Sequence, residues 1–72
     1  MKQYKMNLDD AIKHYNKKHK KKLTITEVAR LANTNRITLN EYKNGNIPKF
    51  FDIYLKISDI TGYPVEKLIE TI

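Results

Sequence analysis

Lys17, Lys18, Lys20, Lys21 and Lys22 lie within six consecutive positions, with His19 among them. Ammonium groups at this density offer one chemistry, ionic attraction to phosphates or to another anionic surface. The excess is local. Residues 1–36 hold ten Lys/Arg against three acids, a sum of +7, whereas residues 37–72 hold four Lys against five acids, a sum of −1. A one-sided basic surface is the electrostatic footprint of a nucleic-acid binder. The same run also suits solubility and the C-terminal end of a helix. An anionic membrane would attract it as well, but no apolar partner face or lipidation motif accompanies it.

Other reactive groupings are sparse. His14 and His19 are five apart, not the i, i+4 spacing that aligns two ligands on a helix, so no metal site is expected. Asp9 and Asp10 project in different directions from a helix and suit its positive first turn. With no cysteine there is no disulfide framework, thiolate zinc site or cysteine nucleophile. No Ser/His/Asp arrangement and no glycine-rich phosphate loop is present, so neither catalysis nor a cofactor is expected. At 72 residues the chain makes one domain, 1–72. Domains of this size bury about 60% of their unfolded surface, which leaves little room for a deep cleft. No apolar run approaches the roughly 20 residues that span a bilayer, and residues 1–10 lack the apolar core of a signal peptide. A cytoplasmic protein with no membrane partner is the expectation.

These residues need elements to hold them. Asn7 is placed to cap a first helix, with Leu8, Ala11, Ile12 and Tyr15 on its buried face and the lysine run ending it near Lys20. Thr24 or Thr26 caps a second helix to about Ala32, with Val28, Ala29, Leu31 and Ala32 apolar. Asn33-Thr34-Asn35 follows. Asn33 tolerates a left-handed backbone, and Asn35 is a good N-cap for a third helix from Arg36 to about Lys43. Leu39 and Tyr42 face inward, and Asn44-Gly45-Asn46 stops the helix. Pro48 opens a fourth helix marked by Phe50, Ile53, Tyr54, Ile57 and Ile60, with Gly62 as its stop. Pro64 opens a fifth, with Val65, Leu68, Ile69 and Ile72 apolar. Five helices and no strand predict an all-α, compact five-helix domain. Phe51 and Leu55 fall off the fourth helix's stripe, as an exposed partner surface or the margin of a broad buried face.

The stretch Leu23 to Gly45 carries the most information. Two short helices joined by a three-residue turn are a helix-turn-helix in outline, over about 24–45. The geometry needs a small residue where the helices cross (Ala29), a turn residue that accepts positive φ (Asn33), and apolar residues that lock the pair (Val28, Leu39, Tyr42). At this point the chain resembles the Cro/C1-type (XRE-like) helix-turn-helix family. The family's slots read Leu23-Thr24, Val28-Ala29, Asn33, Thr38-Leu39 and Gly45. Ile57, Gly62, Val65 and Leu68 continue the register, so the resemblance runs from about Ile12 to Ile69. The chain departs from the pattern at three places. Asn33 replaces the turn glycine, and Ile25 replaces a glutamine that often meets a phosphate. The link between the first two helices is about two residues longer and holds the lysines.

The resemblance implies a third helix that enters the DNA major groove. The matching outward positions are Asn35, Arg36, Ile37, Asn40, Glu41 and Asn44. Arg36 suits a guanine edge, Asn40 an adenine edge and Ile37 a thymine methyl. Lys43, Asn44 and the backbone near Gly45 suit phosphates, as do Lys17, Lys18 and Lys20 to Lys22. Glu41 and Ile37 fit DNA less well, and a face mixing Arg, Ile, Asn and Glu also suits protein. The family includes Mor-type anti-repressors of phage lysis–lysogeny switches, which pair with the cognate repressor. Two expectations follow. One is a small regulator or repressor on double-stranded operator DNA; the other is a Mor-type anti-repressor that binds a cognate phage repressor. An antitoxin-like, partner-dependent DNA-binding role is a third alternative, and a homodimer stays open. Frequent Lys, Asn and Ile point to an AT-rich bacterial or phage genome, and so to the cytoplasm of a bacterial host cell.

Overall fold

The computed structural model describes residues 3–47 and 51–71. Helix α1 (Leu8–His19) begins with Asp9 and Asp10 and ends with Lys17, Lys18 and His19, so charges of each sign sit where the helix dipole favours them. Asn7 precedes it, but its side chain makes no bond to the helix backbone. Its Nδ2 donates instead to Oδ2 of Asp10 at 3.1 Å. Helix α2 spans Ile25–Leu31, and Thr24 is its cap, with Oγ1 accepting the Glu27 N–H at 3.2 Å. Helix α3 spans Arg36–Lys43, and Oδ1 of Asn35 accepts the Thr38 N–H at 2.9 Å. Helix α4 (Asp52–Thr61) stops at Gly62, whose φ of 73° is the left-handed turn-off that glycine adopts without strain. Pro48 and Phe50, expected near the opening of this helix, lie outside the described residues. Helix α5 is one turn, Val65–Leu68, after Pro64.

The expectation of no strand is corrected by the chain's two ends. Strand β1 (Tyr4–Met6) pairs antiparallel with β2 (Ile69–Thr71) in the register Tyr4↔Thr71, Lys5↔Glu70, Met6↔Ile69. The fifth helix is therefore shorter than its apolar spacing predicts. Burial of Leu68 completes its inward face, and the backbone turns extended at Ile69 (φ −94°, ψ 113°). Ile69 then partners Met6 rather than a helical neighbour, and the Asn7 N–H donates to the Leu68 carbonyl at 2.7 Å. Ile72 lies outside the described residues. The protein is mostly helical and compact, with this small sheet closing it.

One core joins the elements. Met6, Leu8, Val28, Leu39, Ile57 and Leu68 are fully buried. Helix α1 packs on α4, α2 on both α3 and α4, α4 on α5, and α3 on β1. Leu31, one of the four apolar positions read on α2, is 50% exposed. Val28, Ala29 and Ala32 form the buried stripe of that short helix, and Leu31 stands off it. Thr61 is the buried polar residue among those described. Its Oγ1 donates to the Ile57 carbonyl at 2.7 Å and accepts the Tyr63 N–H at 3.2 Å, so its burial leaves nothing unsatisfied. Burial also pushes the Tyr54 phenol above its ordinary value, and the neighbouring Tyr42 phenol adds to the shift.

Candidate functional site

The turn between α2 and α3 is built from two backbone bonds and one left-handed residue. The Asn33 N–H donates to the Arg30 carbonyl at 3.2 Å, and the Thr34 N–H to the Ala29 carbonyl at 2.8 Å. Asn33 has φ 59°, as expected of the turn position. This pair of bonds is a Schellman termination. It satisfies the last carbonyls of α2 and delivers the chain directly to Asn35, which caps α3. The two helices are thus joined with no slack, and α3 packs on α2.

On α3, Leu39 is fully buried, and Tyr42 is half-buried against the core. The opposite side carries Arg36, Ile37, Asn40 and Glu41, all exposed, with Asn35 before it and Asn44 after it. The sequence-expected contact residues therefore share the outer side of one helix. Two have work within the protein. Oδ1 of Asn35 is occupied by the cap, leaving its Nδ2 for a ligand. The ammonium of Lys43 pairs with Oδ1 of Asp9 at 3.0 Å, which compensates a charge otherwise assigned to a phosphate. Ile37 is 70% exposed, the most exposed of the large apolar side chains among the described residues. Glu41 forms no ion pair among the described residues.

The lysine cluster is organised by a residue that side-chain pattern did not single out. The carbonyl of Asn16 accepts the N–H groups of both Lys20 and Lys21. Its side chain clamps Leu23 at both backbone groups, with Oδ1 accepting the Leu23 N–H at 2.6 Å and Nδ2 donating to the Leu23 carbonyl at 3.3 Å. Lys20 takes the left-handed conformation, φ 53°, where α1 ends. The link between α1 and α2 is therefore a fixed bend. Lys17, Lys18, Lys20, Lys21 and Lys22 are all exposed. Four of them divide into two groups on either side of Lys20. Lys17 and Lys18 flank His14, whereas Lys21 and Lys22 lie beside Tyr15, Glu27 and Leu31 at the side of α2. A polar residue with amide chemistry one turn before a helix end is the only signal that pointed to Asn16, and many asparagines share it.

The remaining candidates are dispersed. The His14 ring lies against Tyr63, with centroids 5.5 Å apart, and the His19 ring against Tyr15 at 4.4 Å, so the two imidazoles have separate aromatic neighbours. No group of three or more metal-ligating side chains converges among the described residues. Phe51 and Leu55 are both exposed, so of the two alternatives for their place off the α4 stripe the buried-face margin does not hold. No described helix is long and apolar enough to cross a membrane. Comparisons with family models, curated proteins and solved structures gave no match.

Proposed function

We propose that this chain is a small, non-catalytic transcriptional regulator of a phage or mobile-element genetic switch, a Cro/C1-type helix-turn-helix domain acting in the cytoplasm of a bacterial host. Its third helix contacts double-stranded operator DNA. The observation that carries the reading is the disposition of α3. Leu39 anchors its back in the core, the Schellman turn and Asn35 fix its start, and Arg36, Ile37 and Asn40 are left exposed on its outer side. An N-terminal helix end so held can enter a major groove, with Arg36 donating two bonds to a guanine edge. The exposed lysines beside the α1–α2 bend supply phosphate contacts. A gel shift on the DNA flanking the gene tests this. Arg36→Ala should cost roughly 1–3 kcal/mol on the best site and little on random DNA. Equal losses on both would reduce Arg36 to a phosphate contact.

A second reading, a Mor-type anti-repressor bound to the cognate repressor, is favoured by Ile37 and Glu41. Ile37 is 70% exposed. Glu41 has no ion-pair partner among the described residues, while Lys43 is already compensated by Asp9. Such a face is weakly charged and partly apolar, as the centre of a protein interface is. Glu41→Lys separates the readings by sign. It should strengthen non-specific DNA binding if DNA is the ligand, and weaken repressor capture if protein is.

A further inference from the structure

We infer that the groove at the C-terminal end of α3 receives an arginine side chain of a partner protein. The inference rests on the second reading above, a protein ligand for α3. Because β1 packs against α3, the two leave an open groove of about 550 Å³ between them. Gln3 and Tyr4 line one wall, Glu41 and Asn44 the other, and Asn46 and Ile47 close the end.

The chemistry of this lining is one-sided. Among the described residues it holds one carboxylate, three carboxamides, a phenol ring and an aliphatic side chain, and no cation. The described lysines on the two wall elements are engaged elsewhere, Lys43 with Asp9 at 3.0 Å and Lys5 with Glu70 at 3.8 Å. The backbone donors of the turn are spent as well. The N–H groups of Asn44, Gly45 and Asn46 all return to carbonyls of α3. The carboxamides offer donors as well as acceptors, so the charge decides: among the described residues the groove's one ionic group is Glu41, without an ion-pair partner, which disfavours a phosphate and favours a cation.

Among cationic side chains, guanidinium fits best. Its planar fork offers paired N–H donors to the Glu41 carboxylate, and further donors to the carboxamide oxygens of Gln3, Asn44 and Asn46. Its flat face can stack on Tyr4, and its apolar stem can lie along the exposed Ile47. A lysine ammonium would satisfy the carboxylate, but it lacks the planar face that stacks on the ring and the paired donors of the fork.

The test is an amide-shift NMR titration of the full chain with the blocked peptide acetyl-Gly-Arg-Gly-amide, beside the same peptide carrying citrulline, its uncharged isostere. Saturable shifts are expected at Tyr4, Glu41, Asn44, Gly45 and Asn46, about tenfold weaker with citrulline because the charge-assisted bonds are lost. Glu41→Gln should weaken arginine binding about threefold, as for an exposed ion pair. Absent shifts, equal response to citrulline, or an unaffected Glu41→Gln would overturn the site. So would an intergenic DNA duplex that moves the same amides and displaces the peptide. Pull-downs with the repressor encoded beside this gene separate the two levels. Equal capture by parent and Glu41→Gln chains keeps the protein reading and removes the arginine from it. No capture by the parent, beside a saturating arginine titration, removes the protein reading and leaves the site.

Discussion

Nζ of Lys43 lies 3.0 Å from Oδ1 of Asp9, joining the last turn of α3 to the first turn of α1. The carboxylate side chain is 65% exposed, so water and salt screen the pair and it adds at most about 1 kcal/mol of stability. Its larger effect is on the charge that α3 presents. Asp9→Asn should leave the thermal melt close to the parent's while releasing a cation. If Lys43 then reaches a phosphate, the log–log slope of DNA affinity against salt should steepen by about 0.9. A gel-shift salt series reads this directly, and an unchanged slope would place Lys43 away from the DNA.

Lys20 holds a left-handed backbone that costs a non-glycine residue roughly 1–2 kcal/mol. Lys20→Gly should recover much of that, raising the melting temperature by roughly 4–8 °C for each kcal/mol. The same change removes a cation from the cluster, so stability and DNA affinity should move in opposite directions. Lys20→Ala keeps the strain and should lower affinity with no gain in stability. Calorimetry on the two variants distinguishes backbone from charge.

Ala29 is 2% exposed in the part of the core where α2 meets α3 and α4. Extra methylenes there have nowhere to go, and overpacking typically costs about 1–3 kcal/mol. Ala29→Leu should therefore melt well below the parent and lose its DNA or repressor binding together with its fold. A melt coincident with the parent's would show that α2 and α3 do not cross closely at this residue.

Tyr54 should give the fold an alkaline limit. Burial, and then the Tyr42 phenol, raise its pKa above the ordinary 10.0. The folded state thus holds the proton more tightly than the unfolded chain does. The corresponding stability is fully present below pH 10 and is lost as pH rises through the elevated folded value. Tyr54→Phe cannot ionise, so its urea midpoint should fall less than the parent's between neutral pH and pH 11. Parallel curves for the two proteins would mean that other groups set the alkaline limit.

Local chemistry made much of this fold legible. Thr24, Asn33, Asn35 and Gly62 each act within four residues of themselves, through a cap or a left-handed turn, and each occupies the role its type implies. The sheet was not legible for the opposite reason. Tyr4–Met6 and Ile69–Thr71 are too short to show a two-residue period, and each finds its partner at the far end of the chain. The helical spacing of Val65, Leu68, Ile69 and Ile72 then concealed the change of backbone at Ile69. The exposure of Leu31 was not legible either, because a seven-residue helix has too few turns to define its inward face from apolar content alone. On the candidate site, the exposure of Arg36, Ile37, Asn40 and Glu41 followed from the inward Leu39. The Lys43–Asp9 pair and the Asn16 clamp required knowing which elements lie side by side.

The meeting of Met6 with Ile69 also dictates when this protein can finish folding during its synthesis. Leu68 is fully buried, and its carbonyl receives the N–H of Asn7 from the opposite end. While residues 65–71 are still inside the ribosomal tunnel, Met6 and Leu8 lack the cover of Leu68 and β1 has no strand partner. The helices can form and associate as they emerge, but the core stays open at one side until residues 65–71 have emerged as well. Residues 65–71 thus act as the latch on residues 4–8.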